Sequence, residues 1–171
     1  MTQIKGLIFD TTASNTGLHR GTCIKIEEAL GTELVWIACR HHIMEIMLSD
    51  VFSCIFGPSG GPESKLFKRF QKEWPSINQG AFAAATDELF QDTVLCRLRQ
   101  DMLDYLPRVL NAQQPRDDYQ EFLRLSLWFL GGAGENVSFR APGPTHHARW
   151  MGKGIYVLKI FLFQAQFKLT P

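Results

Sequence analysis

The chain has 171 residues, of which 45% are hydrophobic and 20% charged, a composition that excludes an intrinsically disordered protein. The formal net charge of +1 gives no whole-molecule attraction to nucleic acid or membranes, so any such surface must be local. Four cysteines without a framework spacing, no apolar run of about 18 residues and no signal-peptide core predict an intracellular protein that does not span a membrane.

Two short apolar stretches predict a small parallel sheet near the N-terminus. Residues 4–10 (IKGLIFD) and 33–39 (ELVWIAC) are typical of buried strands. The stretch between them predicts a helix over about residues 11–30, with Gly17 and Gly21 inside it. A strand, a helix and a second strand in this order predict a βαβ unit with parallel neighbouring strands. The open sheet edge beside residues 4–10 also predicts self-association.

The remainder of the chain predicts helices and loops. Helical spacing and flanking glycines or prolines predict helices over residues 41–56, 65–74, 86–106, 117–130 and 146–169. The clearest break is GPSGGP at residues 57–62. We therefore expect a helix-rich α/β fold with a βαβα unit at 1–57, a helical segment at 58–144 and a long buried C-terminal helix at 145–171.

The last predicted helix is apolar on almost every side. In IYVLKIFLF, residues 155–163, Lys159 is the only charged residue. A helix with one wet face does not have this pattern, so this one is expected to be buried on two sides. Because two strands make a small sheet for such a helix, the pattern predicts further neighbours, from a partner or from more of the same domain.

A single carboxylate, Asp10, ends the first predicted strand. Ligands and metals in α/β proteins gather at the carboxyl ends of the strands, so Asp10 is a candidate catalytic or metal-binding residue. The alternative is a turn former or helix cap, because an Asp before a helix commonly accepts hydrogen bonds from the nearby backbone. Both interpretations stay open on these residues alone.

A second candidate site lies at the junction of the second strand and the next helix. Cys39 and His42 have a spacing that zinc sites use, but four ligands are needed. His146 and His147 could complete such a site only if the fold brings them close. The alternative is a small buried thiol and an imidazole that caps or hydrogen-bonds.

Two basic segments are also candidates. Arg149 beside Trp150 at a predicted helix start is suited to pairing with a carboxylate or phosphate, or else is a solvated arginine beside an anchoring aromatic. The helix at 65–74 is amphipathic, and its basic face is either solvated or makes sequence-independent contacts with a DNA backbone. The residues of this face are Lys65, Lys68, Arg69 and Lys72.

Taken in order, these motifs resemble the RNase H-like core of hAT-superfamily DNA transposases. The matching residues are Asp10 with Ala13, Ser14 and Asn15, then Cys39 with His42, then Arg149 with Trp150. The resemblance implies two divalent metals held by three carboxylates, one metal activating water or a 3′ hydroxyl and the other stabilising the leaving oxygen. Asp10 would correspond to the second of the three carboxylates.

The resemblance also implies an incomplete metal site. In the family the first acid lies on an upstream strand and the third on a helix beyond the Arg-Trp segment, and both regions are expected to be missing here. One carboxylate cannot hold two metals. No cofactor is therefore expected, and Mg²⁺ or Mn²⁺ would bind only if the carboxylate site were complete.

Three functions follow from these observations. The leading expectation is a transposase-derived, catalytically incomplete RNase H-like domain, nuclear if it associates with DNA, whose partner is DNA, another protein or a second copy. The alternative is a helical protein-interaction module in which residues 65–130 bind the partner and the βαβ start is a scaffold. The third is an active metal-dependent nuclease, which needs Glu45, Asp50 or Glu135 to converge on Asp10.

Overall fold

The chain divides into two compact units, Met1–Pro58 and Ser59–Pro171. The computed structural model describes residues 4–56, 65–132, 137–143 and 149–169. The segments at 58–144 and 145–171, which the sequence separates, fall within one unit. Among the described helices, none combines the length and the apolar character that crossing a membrane requires.

The first unit is built on a parallel strand–helix–strand arrangement. Its elements in chain order are β1 (Gly6–Phe9), α1 (Ala13–Thr16), α2 (Thr22–Leu30), β2 (Val35–Ala38) and α3 (Arg40–Phe56). The two strands pair in parallel, with Ile8 opposite Ile37. The predicted parallel pairing is confirmed, and together with the second unit it gives a helix-rich α/β protein.

The single helix predicted over residues 11–30 is wrong, because α1 and α2 are separated by a tight turn. The Gly21 N–H donates to the Gly17 carbonyl at 2.7 Å. A Cβ at Gly21 would lie 2.5 Å from that carbonyl oxygen, closer than any side-chain carbon can approach, so glycine is required there. Gly31 ends α2 with a left-handed φ of 64°, as its position predicts.

The two faces of the sheet differ in their cover. On one face the Trp36 indole donates to the Glu27 carboxylate of α2 at 2.9 Å. On the other face Ile8 is 75% exposed and Ile37 48% exposed. Within the described part of this unit, Cys23 is the only buried apolar residue, so the unit has a very small core.

The second unit is helical. Its helices are α4 (Lys65–Glu73), α5 (Thr93–Leu110), α6 (Asp117–Phe129) and α7 (Arg149–Leu162), with 3₁₀ turns at Trp74–Ser76 and Asp87–Phe90. The helix predicted over 86–106 is displaced, because the Asp92 carboxylate caps α5 by accepting from the backbone of Val94 at 2.9 Å and of Leu95 at 3.1 Å. α7 ends at Leu162, earlier than the predicted limit of about residue 169.

The core of the second unit is aromatic and surrounds the end of α7. Phe163 is fully buried, with its ring centroid 4.8 Å from that of Phe139 and 5.4 Å from that of Trp74. Tyr156 stacks on Phe67 of α4 at 4.6 Å. Most apolar side chains of α7 are thus buried in its own unit, although Val157 is 41% exposed, and the expectation that this helix lacks neighbours is wrong.

Candidate functional site

Asp10 lies just after β1, as predicted, and its carboxylate is held by its own turn. Oδ1 accepts hydrogen bonds from the Thr12 hydroxyl at 2.6 Å, the Asn15 side-chain amide at 2.7 Å and the Thr12 backbone N–H at 3.2 Å. The Thr12 hydroxyl and N–H, followed by the Asn15 amide, lower the pKa of Asp10 because they stabilise the ionised form. Asp10 is thus part of a hydrogen-bonded turn that leads into α1.

Cys39 and His42 join the second strand to α3. The Cys39 N–H donates to the Phe9 carbonyl at 2.7 Å, and the Cys39 carbonyl accepts from the His42 N–H at 3.0 Å. The pairing of β1 with β2 brings Asp10 and His42 to the same edge of the sheet, where the histidine's charge makes a further small contribution to the lowered pKa of Asp10. The sequence therefore predicted the sheet edge at which Asp10 and His42 lie. In the structure this edge is a strand-to-helix junction.

This edge does not fit the two-metal centre that the resemblance implies. Across residues 4–56, 65–132, 137–143 and 149–169, no three His, Cys, Asp or Glu side chains are grouped as a metal ion needs. Neither Glu45 nor Asp50 completes such a group with Asp10. The other candidate ligands lie outside the described residues; they are Glu135, His146 and His147.

The Arg149–Trp150 pair marks the start of α7, as predicted, although the Arg149 side chain lies outside the described part. Trp150 is half-buried and packs edge-to-face on Phe122 of α6, with 5.6 Å between the ring centroids. That contact corresponds to the anchoring role that the sequence left open for Trp150.

The α4 helix presents a basic face on an aromatic anchor. Lys65, Lys68 and Lys72 are exposed, whereas Phe67 and Phe70 on the opposite side are buried. The lysines are spaced three and four residues apart, so all three lie on one side of the helix. The three ammonium groups therefore lie on a single surface of α4, and the opposite side of this helix is anchored by the buried Phe67 and Phe70.

Arg69 differs from Lys65, Lys68 and Lys72, because its guanidinium contacts other residues of the second unit. Nη2 donates to the Lys168 carbonyl at 2.5 Å, and the guanidinium lies over the Phe167 ring at 4.4 Å from the centroid. Nε also lies 3.6 Å from the Glu73 carboxylate. Arg69 therefore holds the chain that follows α7 against α4, a role that its residue type did not reveal.

Sequence reasoning missed a buried ion pair between α6 and α7. Lys159 is 1% exposed, and its Nζ lies 2.5 Å from Glu121 Oε1 and donates to the Arg140 carbonyl at 2.7 Å. Burial lowers the pKa of Lys159, and the adjacent Glu121 carboxylate opposes that shift. The one signal available was the single charge, Lys159, in the apolar run of residues 155–163.

A cavity of about 460 Å³ opens beside this pair. Two ion pairs lie in its wall, Arg116 with Asp118 and Arg140 with Asp117, the second at 3.6 Å. Tyr156 also lines the cavity, where its hydroxyl donates to the Gly143 carbonyl at 2.6 Å and burial raises its pKa to about 12. The wall thus carries both signs of charge, from two arginines and from three carboxylates that include Glu121.

No family model, no curated protein and no solved structure matches the chain. The resemblance to hAT transposases therefore depends on the motif residues alone.

Proposed function

We propose that the chain is a transposase-derived, catalytically incomplete RNase H-like segment that binds DNA without cutting it. The likeness is supported by Asp10 at the end of β1 and by Cys39 and His42 at the junction that follows β2. DNA association would place the protein in the nucleus. The observation that carries DNA binding is the exposed lysine face of α4.

The lack of catalysis is supported by the state of Asp10. Its Oδ1 already accepts three hydrogen bonds from Thr12 and Asn15. In the described part of the chain, no three His, Cys, Asp or Glu side chains form a group with Asp10 that could hold a metal ion. Two-metal cleavage needs both the attacking and the leaving oxygen to be held by metal ions, which one carboxylate cannot arrange.

DNA binding by α4 is supported by how its lysines are presented. Residues three and four apart stand on one side of a helix, and seven residues of helix rise about 10 Å, so the ammonium groups of Lys65 and Lys72 can reach separate phosphates. Lysine ammonium groups contact phosphates without reading the base sequence. We therefore expect binding that depends strongly on salt and weakly on sequence.

The test replaces Lys65, Lys68 and Lys72 together by glutamine and measures binding to a labelled duplex by fluorescence anisotropy at several salt concentrations. Each lost phosphate contact reduces the slope of log K against log salt by about 0.9, so a reduction of about 2 to 3 is expected. Arg69 is left intact because its guanidinium supports the fold.

The matched control removes three exposed charges elsewhere, by Lys25→Gln, Arg97→Gln and Lys168→Gln. This variant has the same net charge as the α4 variant. Equal loss of affinity in both variants would show a diffuse charge effect and would contradict a site on α4. A wild-type chain that does not bind the duplex at low salt would end the proposal.

A helical protein-interaction module is the second candidate, and the exposed apolar side of α5 favours it. The side chains there are one or two turns apart and well exposed: Val94 65%, Leu98 50%, Met102 38% and Tyr105 48%. Such a stripe is typical of a helix that lies against another helix. A protein partner lost on Leu98→Glu and retained by the triple lysine variant would favour this function over DNA binding.

A further inference from the structure

The α3 helix carries a continuous apolar seam that the described part of the first unit leaves exposed. Ile43, Met47, Val51 and Ile55 recur every four residues and so form one ridge along the helix. They are 41%, 57%, 51% and 67% exposed, in that order. Met44, at 39% exposed, borders the ridge.

We propose that this seam binds the same seam of a second copy, with the two α3 helices antiparallel and crossing at Met47. Ridges formed by every fourth residue interdigitate when two such helices pack. With Met47 on the two-fold axis, Ile43 of each copy lies opposite Val51 of the other. A two-fold contact of this kind is self-complementary, so one ridge supplies both sides of the interface.

The charges that border the seam complement each other in this arrangement. Arg40 is seven residues before Met47 and therefore on the same side of α3, while Asp50 lies at the margin of the ridge; both are exposed. In the antiparallel pair, Arg40 of one copy and Asp50 of the other are separated by about four residues, or about 6 Å, along the axis. An arginine side chain spans that distance, and the pair forms twice because of the symmetry.

The area of the seam predicts a weak dimer. A fully accessible Ile, Met or Val side chain presents on the order of 100 Å² of apolar surface. The five side chains named above and Ile46, which is 44% exposed, are about half exposed and together give roughly 300 Å² of apolar area per copy. Because such area is somewhat over half of an interface, the total is about 1,000 Å², which is the lower limit for a specific contact. We expect dissociation in the micromolar range.

The experiment is sedimentation equilibrium of the full chain over a range of micromolar concentrations. Met47→Glu brings two carboxylates together on the two-fold axis and should weaken the dimer at least roughly tenfold. Leu89→Glu adds the same charge at an apolar site of the second unit that is 49% exposed and belongs to neither the seam nor the α5 stripe, and it should leave the dimer unchanged. Circular dichroism of both variants verifies that the helices are retained.

A charge exchange tests the alignment of the two helices. Arg40→Glu and Asp50→Arg should each weaken the dimer severalfold, and the two changes together should restore it to within about twofold, because the reciprocal pair is re-formed with its signs exchanged. Failure of the double variant to recover would contradict the antiparallel alignment.

Two other results would overturn the proposal. A wild-type chain that stays monomeric throughout the concentration range would mean that the seam does not bind a second copy. A dimer that Met47→Glu leaves intact, or that Leu89→Glu disrupts, would lie on another surface. Neither result depends on DNA, so the proposed function stands or falls separately.

Discussion

The Asp10 carboxylate lies at the carboxyl end of a strand, where ligands and metals gather in α/β proteins, yet its hydrogen bonds are made within its own turn. A metal carboxylate needs lone pairs directed at the ion, together with further carboxylates that share its charge. In this chain the Thr12 hydroxyl, the Thr12 N–H and the Asn15 amide all donate to the same oxygen of Asp10. The residue thus stabilises the entry to α1.

Thr12→Val should raise the pKa of Asp10 towards its ordinary value, because the largest of the causes that lower it, the Thr12 hydroxyl, is removed. Carboxyl ¹³C chemical shifts followed through an acid titration measure this pKa. In the wild type the folded pKa lies below the unfolded one, so the stabilisation is present above the unfolded pKa and is lost as the pH falls through the folded pKa.

Thr16→Val is the control for that measurement, because the Thr16 hydroxyl donates to the Thr12 carbonyl at 3.0 Å and does not contact the carboxylate. The pKa of Asp10 should stay at its wild-type value in this variant. A Thr12→Val protein whose Asp10 also keeps the wild-type pKa would show that the turn is held by other groups.

At the scale of elements, the packing of α6 on α7 includes an ion pair between the buried Lys159 of α7 and the half-buried Glu121 of α6. Removing one member of a buried ion pair leaves the other charge uncompensated, at a cost of about 3–5 kcal/mol of unfolding free energy. Glu121→Leu and Lys159→Met should each show a loss of that size in chemical denaturation. The double variant should lose much less, because both charges are gone and the methionine keeps most of the lysine stem.

The exposed pair beside the cavity provides the comparison. Arg140→Gln removes a partner of Asp117 whose side chains are 60% and 86% exposed, so its effect should stay within about 1 kcal/mol. Additive losses in the double variant of Glu121 and Lys159 would contradict an ion pair that couples the two helices.

The elements that the sequence predicted best are those whose signals are local. Short apolar runs located both strands, although the structure shows that neither is buried as predicted. Gly31 located the end of α2, and helical spacing located α4 and α6. The break between α1 and α2 at Gly21 was not predicted, because it depends on the carbonyl four residues earlier. The helix propensity of a single residue contains no information on such a contact. The cover of α7 escaped because Phe67 and Phe139 are distant in sequence, and their packing on this helix is a tertiary event.

In the candidate site too, features with local signals were predicted, and features that depend on tertiary contacts were not. Residue order placed Asp10 and His42 at one sheet edge, since parallel strands end together. The roles of individual side chains were less accessible: Arg69 and Lys72 belong to one amphipathic helix, yet only the first is turned to the Phe167 ring. The resemblance to transposases and the proposed binding of DNA remain predictions.

The two units of the whole molecule differ in how much they bury. The second unit contains Phe70, Phe163 and Phe167, each at most 1% exposed, whereas Cys23 is the only buried apolar residue in the described part of the first unit. Stability against local opening follows buried apolar contacts. The two units should therefore differ in the free energy of local opening.

Hydrogen exchange of the full chain, read by mass spectrometry, should show this difference. Amides of α6 and α7 should exchange at least roughly a hundredfold more slowly than those of β1 and β2, after correction for intrinsic rates. Measurement at low protein concentration separates this effect from any protection of α3 by dimerisation. Equal protection of the two units would mean that they open as one cooperative body.

The contacts of Arg69 and Phe70 have a consequence for the second unit as a whole. Arg69 binds the Lys168 carbonyl, and the Phe70 ring lies 5.0 Å from that of Phe167, so α4 and the chain that follows α7 are side by side. A folded body with adjacent ends can be grafted into a loop of a host protein with little distortion of the host. We therefore expect the part of the second unit from α4 onwards to keep its fold when it is inserted into a loop of a host protein, and the host protein to keep its own fold.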